Sequence, residues 1–192
     1  MDGKEPVMIS KTLVIGDVHG CAEELEQLIQ KVEPTQIMLV GDLFTKGPDP
    51  IKVWHLIQEH TMQVVMGNHD WWLLEVAQQR IQTNDKQTHT IIYALTQDDP
   101  KWFSWLKSRP LFLEVNHWVI VHAGLHPSGD LAKTSLEMAL TLRRYPDDNP
   151  DNPYWYDLYT GERNVIFGHD AKRGLVRVER DGKPYLIGLD SG

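Results

Sequence analysis

The feature that most constrains this chain is an apolar run that stops at a glycine or histidine and delivers a polar side chain there, and it occurs five times. Leu13-Val14-Ile15 ends in Gly16-Asp17-Val18-His19-Gly20. Ile37-Met38-Leu39-Val40 ends in Gly41-Asp42, and Val64-Val65-Met66 ends in Gly67-Asn68-His69-Asp70. Trp118-Val119-Ile120-Val121 ends in His122-Ala123-Gly124, and Val165-Ile166-Phe167 ends in Gly168-His169-Asp170. Short runs of aliphatic and β-branched residues suit strands covered on both faces, and glycine lets the backbone turn tightly where the polar groups emerge. One Asp after a strand is a turn or cap residue. Five carboxylate, amide or imidazole side chains at the same end of five strands exceed what local capping explains.

Between these runs the chain reads as alternating elements. Ala22 to Val32 places Leu25, Leu28, Ile29 and Val32 at helical spacing, with Glu23 and Glu24 in the first turn. This crossover helix makes the first two strands parallel. The breaker-rich stretch Gly41 to Pro50 leads into a second helix through Ile51, Val53, Trp54 and Ile57. Asp17, Asp42 and Asn68 then share the carboxyl edge of a parallel sheet, where open α/β folds build their sites. Trp71 to Ala77 predicts a helix whose two tryptophans belong to the core. Residues 81–99 are polar with one helical patch, Ile91 to Leu95. Asp99-Pro100 starts a short helix carrying Trp102, Phe103, Trp105 and Leu106.

Leu111 to Val115 and Trp118 to Val121 predict a hairpin that turns the sheet from parallel to antiparallel. Ala132 to Tyr145 predicts a helix, Pro146 to Pro153 a loop, and Asp181-Gly182 a two-residue hairpin turn. Tyr154-Trp155-Tyr156 suits either a packed loop or a stack on an aromatic ligand. The expected architecture is α/β: a single domain over 1–192 with a mixed β-sheet core, or a two-sheet sandwich, flanked by helices.

Composition narrows the function classes. At 192 residues, 41% hydrophobic and 24% charged, the chain can bury a sizeable core. No apolar stretch approaches the ~20 residues of a membrane span, and Met1 to Glu5 lacks the pattern of a signal peptide. With a single cysteine, Cys21, placed at a helix start, a cytoplasmic location is expected. A net charge of −8 argues against general nucleic-acid binding and leaves room for a small phosphorylated substrate if a metal supplies the local positive charge.

Six side chains then form a set: Asp17, His19, Asp42, Asn68, His122 and His169. Two ions sharing Asp42 would use all of them, with Asp17 and His19 on one ion and Asn68, His122 and His169 on the other. Mixed imidazole, carboxylate and amide donors suit two divalent transition-metal ions, Mn first, with Fe, Co, Ni or Zn as alternatives. Such a pair clamps the attacking and leaving oxygens of a phosphoryl displacement and activates a bridging water as hydroxide. Metal-assisted hydrolysis of a phosphate ester or anhydride is the chemistry expected.

These same motifs, with Lys46-Gly47-Pro48 added, resemble the calcineurin-like metallophosphoesterases, in the branch of the phosphoprotein phosphatases and symmetrical diadenosine tetraphosphatases. The resemblance runs from residue 13 to 190 and implies a metallophosphoesterase-like fold. It implies the six ligands position by position, a catalytic role for His69 in protonating the leaving oxygen, and phosphate binding by Lys46. Protein phosphatases of the branch carry an acid where Thr45 stands and a glutamate where Asp70 stands. Their absence, and the stretch Trp105 to Pro110, point instead to a phosphoanhydride such as diadenosine tetraphosphate. A protein serine/threonine phosphatase, a polyphosphatase and an inactive scaffold of the same fold are the alternatives. Gly188 to Gly192 resembles a segment that continues into another strand in the family, which implies a shortened C-terminal edge.

An arginine fork matches phosphate geometry, which makes Arg143 or its neighbour Arg144 a substrate-binding candidate. Lys172 and Arg173, just past His169, are candidates too; the other reading of all four is an exposed basic residue. Of the remaining histidines, His126 reaches toward the site rim, while His55, His60, His89 and His117 are solvated or structural.

Overall fold

The structure is a computed structural model that describes residues 10–190; the Met1 to Glu5 segment and the final Ser191-Gly192 lie outside the described residues. Among the described residues, eight strands form two sheets. The first is parallel, in the order β1 (Thr12–Ile15), β2 (Gln36–Leu39), β3 (Gln63–Val64). Between its strands run α1 (Ala22–Val32) and α2 (Pro50–Glu59). Helix α2 starts where the sequence dictates: Pro50 needs no amide partner at the first helical position, and the Asp49 carboxylate accepts the Lys52 N–H at 2.9 Å.

Three helices follow β3, namely α3 (Asn68–Ala77), α4 (Lys86–Asp98) and α5 (Lys101–Lys107). Helix α4 is longer than the Ile91 to Leu95 patch predicts. Its start is built by Asp85, whose carboxylate accepts the N–H groups of Gln87 and Thr88. Only Thr88, Ile91 and Leu95 are buried along it, so its apolar stripe is too narrow to show as a period.

The second sheet has five strands, β4 (Phe112–Val115), β5 (Trp118–Val121), β6 (Asn164–Phe167), β7 (Val176–Arg180) and β8 (Lys183–Gly188), in the order β4-β5-β6-β8-β7. Strands β5, β6 and β8 are parallel, while β4 and β7 pair antiparallel at the two edges. The hairpin β4-β5 therefore opens a separate sheet and does not extend the first one. At the β7-β8 turn Asp181 and Gly182 both have positive φ, as a tight hairpin requires.

The two sheets pack face to face. Period-2 alternation decides which side chains meet: Met38 and Val40 of the β2 run face Val65, Ile120 and Ile166 between the sheets. Ile37 and Leu39 face the other way, onto the helices with Leu25, Ile29, Val53 and Leu73. Each fully buried side chain of this kind contributes roughly 1.5–3 kcal/mol. The outer face of the second sheet packs against Trp155, Tyr156 and Tyr159, which settles the aromatic segment as core. Ala139 of the short α6 (Leu136–Thr141) joins it.

The helix expected over Ala132 to Tyr145 is broken into a single 3₁₀ turn, Leu131–Lys133, and α6. Two hydroxyls break it. Thr134 Oγ1 accepts the His126 N–H at 3.0 Å, and Ser135 caps α6 by accepting the Met138 N–H at 3.1 Å. Among the described residues no helix is long and apolar enough to cross a membrane.

Candidate metal centre

The sandwich brings the carboxyl ends of β1, β2, β5 and β6 to one edge, and the turns leaving them are clasped together. His19 N–H donates to the Asp42 carbonyl at 2.7 Å and Gly20 N–H to the Leu43 carbonyl at 2.8 Å. Asp42 and His169 both have positive φ, so these turns hold their side chains in conformations that non-glycine residues seldom adopt. Gly67 must be glycine: a Cβ there would lie 2.3 Å from Asp42 Oδ1. That close approach lets the first turn of α3 run up to the Asp42 carboxylate, where His69 N–H donates to Oδ1 at 2.9 Å.

Asp42 divides the site. Its Oδ2 lies 3.6 Å from His19 Nε2, which in turn lies 3.7 Å from Asp17 Oδ2. Its Oδ1 lies 3.7 Å from His122 Nε2, which is 2.8 Å from Asn68 Oδ1 and 3.2 Å from His169 Nδ1. His169 Nδ1 and Asn68 Oδ1 close that second group at 3.0 Å. The six side chains singled out in the sequence thus come together as two groups, with one carboxylate oxygen of Asp42 facing each.

The tautomers follow from the partners. His122 Nδ1 must donate to the Val40 carbonyl at 2.8 Å, so its Nε2 presents a lone pair to the centre. His19 Nε2 accepts from Lys46 Nζ at 3.0 Å while its Nδ1 is held by Thr45 Oγ1 at 3.2 Å. In the second group, acceptor oxygens of Asp42 and Asn68 converge with the lone pair of His122 Nε2, and His169 Nδ1 joins them as an acceptor when its proton sits on Nε2. A divalent cation is what such a donor set fits. Among the described residues, His19, Asp42 and His69 form one group of possible ligands, and Asp17, Asp42 and His122 another. His69 accordingly lies against the first group, its ring 5.2 Å from that of His19.

Electrostatics point the same way. Burial, then the charges of Asp42 and Asp190, pushes the Asp17 carboxyl far above the usual range, and burial raises Asp42 as well. Crowded carboxylates of this kind hold a proton until a cation replaces it. Burial, followed by the charge of Lys46, lowers His19 and His69 to about 4, and burial with neighbouring His122 lowers His169 to about 3. The imidazoles are neutral at ordinary pH, the state in which they ligate.

All of these groups except the fully buried His122 line a cleft of about 720 Å³ that also takes in Lys46, Arg143 and Asp190. Arg143 stands 3.7 Å from Asp170, with its Nη1 on Asp148 at 3.2 Å. Its neighbour Arg144 stacks on Tyr154 instead, 4.2 Å from the ring centroid. Lys172 is exposed on the turn after His169 and is not among the residues lining the cleft; Arg173 is tied to the Tyr156 hydroxyl at 3.0 Å. His126 bonds Ser128 and Tyr145 and is likewise not among the lining residues.

Three further features went unread in the sequence. Asp70 is fully buried and gathers the N–H groups of Asp42, Leu43 and Gly67 at 2.7, 2.9 and 3.2 Å. Asp190 accepts the Asp17 N–H at 3.5 Å and leaves its Oδ2 buried without a partner; the run Leu186-Ile187-Gly188 before it obeys the same rule as the other five. Trp71 and Trp72 are not core. Trp71 is 36% exposed, and both line a second cleft beside His69.

A two-sheet α/β core with carboxylate, amide and imidazole donors gathered at the carboxyl ends of its strands is the architecture of a metallophosphoesterase. The chain belongs to the calcineurin-like phosphoesterase family, which it matches over residues 10–187. A symmetrical bis(5'-nucleosyl)-tetraphosphatase of Vibrio parahaemolyticus is 34% identical over 139 residues, 69% of this chain and 51% of that one. A protein of the same name from Proteus mirabilis is 32% identical over 180 residues, 83% of this chain and 65% of that one. The chain thus spans between half and two thirds of the length of these relatives. A crystal structure of a protein provisionally named a diadenosine tetraphosphatase superposes with a TM-score of 0.77 at 29% identity, covering 97% of this chain and 86% of that one.

Proposed function

We propose that this chain is a single-domain hydrolase of phosphoanhydrides, with a dinucleoside polyphosphate such as diadenosine tetraphosphate as its substrate and two divalent ions, manganese foremost, in its site. The observation that carries the reading is the division of Asp42, one oxygen 3.6 Å from His19 and the other 3.7 Å from His122. Asp17, His19 and Asp42 would hold one ion, and Asp42, Asn68, His122 and His169 the other. Bound ions of this kind polarise the phosphate and acidify a water near neutral pH.

The protein's own groups do the rest. Lys46 and Arg143 offer positive charge at the cleft for phosphate oxygens. Thr45 and Val40 fix the imidazoles of His19 and His122 by their Nδ1 atoms so that the Nε2 atoms aim at the centre. His69 donates a proton to the leaving oxygen. Its imidazole is neutral in the free protein, and the negative charge of a bound polyphosphate opposes the effect of Lys46 and favours the protonated ring. The relatives' name supports the dinucleotide, and Thr45 beside His19, where protein phosphatases of the branch carry an acid, supports it over a phosphoprotein. The lone Cys21, free in the structure, suits the cytoplasm.

The test is a manganese-reconstituted panel of diadenosine tetraphosphate, inorganic polyphosphate and a phosphopeptide, with Asp42→Asn as control. The dinucleotide is expected to be cleaved fastest and the control to be inactive. A clear preference for the phosphopeptide would overturn the assignment.

A further inference from the structure

A cleft of about 600 Å³ opens directly off the proposed metal centre, sharing Lys46, Asn68 and His69 with it. Its walls are apolar: Trp71 and Trp72 from α3, Ile91 from α4, and Leu136 and Leu140 from α6. Trp71 and Leu136 are two of only five large hydrophobic side chains exposed among the described residues, at 36% and 40%. Two such groups facing one hollow from separate helices mark a place where something apolar binds.

The charges say which part of a ligand that is. Lys46 is the cleft's only lysine or arginine and stands at the border with the metal centre, while the other charged side chains lining it are the acids Asp85 and Glu137. Phosphate belongs at the Lys46 and His69 end, and an uncharged group belongs along the tryptophans. A planar heteroaromatic ring joined to phosphate satisfies both demands, and indoles stack on such rings whatever their substituents.

We propose that this cleft seats the nucleobase of the leaving nucleotide, stacked along Trp71 and Trp72 and covered by Leu136. The inference rests on the hydrolytic reading and sharpens it: His69 lies between the two clefts because the leaving group departs on this side. A base-free polyphosphate would use the metal centre alone.

Two exposed wall residues test this without threatening the core. Adenosine diphosphate and pyrophosphate are titrated into the wild type, Trp71→Ala and Leu136→Ala, following tryptophan fluorescence, and each protein is assayed on diadenosine tetraphosphate and tripolyphosphate. The nucleotide is expected to quench fluorescence where pyrophosphate does not, and the quench to be lost in Trp71→Ala. Each variant is expected to raise KM for the dinucleotide about tenfold while leaving kcat and tripolyphosphate hydrolysis unchanged. Equal losses on both substrates, or nucleotide binding no tighter than pyrophosphate, would overturn the proposal. So would fluorescence that follows protein concentration alone, which assigns the cleft to a second copy. A wild type that cleaves neither anhydride yet is quenched only by the nucleotide refutes the hydrolytic reading and upholds the base seat. Cleavage of both substrates with no separation by either variant does the reverse.

Discussion

Asp70 holds Asp42 from behind: its Oδ2 accepts the Asp42 backbone N–H at 2.7 Å, and the same carboxylate takes the N–H groups of Leu43 and Gly67. One buried side chain thereby fixes the turn that presents the Asp42 carboxylate and the start of the helix that presents Asn68 and His69.

Removing that carboxylate leaves three buried N–H groups unpaired. Asp70→Ala is expected to destabilise the fold by about 3–5 kcal/mol, a fall on the order of 10 °C in melting temperature. Metal affinity should fall with it, because Asp42 loses its orientation. Thermal melts with metal titration by calorimetry measure both, and a variant that melts within a degree of the wild type would contradict the role given to Asp70.

The buried acids also set a pH dependence for the metal-free protein. Burial, then the charge of Asp42, raises the Asp17 carboxyl to about 9 from an ordinary 3.8. Asp17 thus binds its proton more tightly folded than unfolded, so its contribution to stability is full at low pH and is lost as pH rises toward that folded value. His19, His69 and His169 are lowered by burial and act oppositely, adding stability with rising pH, but only up to their unfolded value of 6.5. Above pH 6.5 the carboxylates act alone. The melting temperature of the metal-free protein is therefore expected to fall from about pH 7 to about 9, the folded value of Asp17, and saturating manganese to remove the fall, since the cation takes the proton's place. Parallel melting curves with and without metal across that window would contradict this.

Much of the site was legible because each donor follows an apolar run that could only be a strand: Asp17, Asp42, Asn68, His122 and His169 are all placed by one rule. The two-sheet arrangement was harder to read. The β4-β5 hairpin has the same alternation whether it extends the first sheet or opens a second, and what separates them is the layer of Met38, Val40, Ile120 and Ile166, a contact between distant segments. Trp71 and Trp72 were misread for a related reason. Bulky apolar side chains at the start of a helix suit a core, and only the placement of α4 and α6 opposite them makes a cleft. Asp190 follows an apolar run as the other five do, but its pairing with the Asp17 amide, 173 positions away, is beyond the reach of any local pattern.

Asp42 is proposed to join two ions. The direct measurement is anomalous diffraction from crystals soaked in manganese, recorded at the manganese edge. Two peaks about 3.5–4 Å apart are expected, one beside Asp17 and His19, the other beside Asn68, His122 and His169, with Asp42 between them. A single peak touching only one oxygen of Asp42, or none in the cluster, would contradict the account.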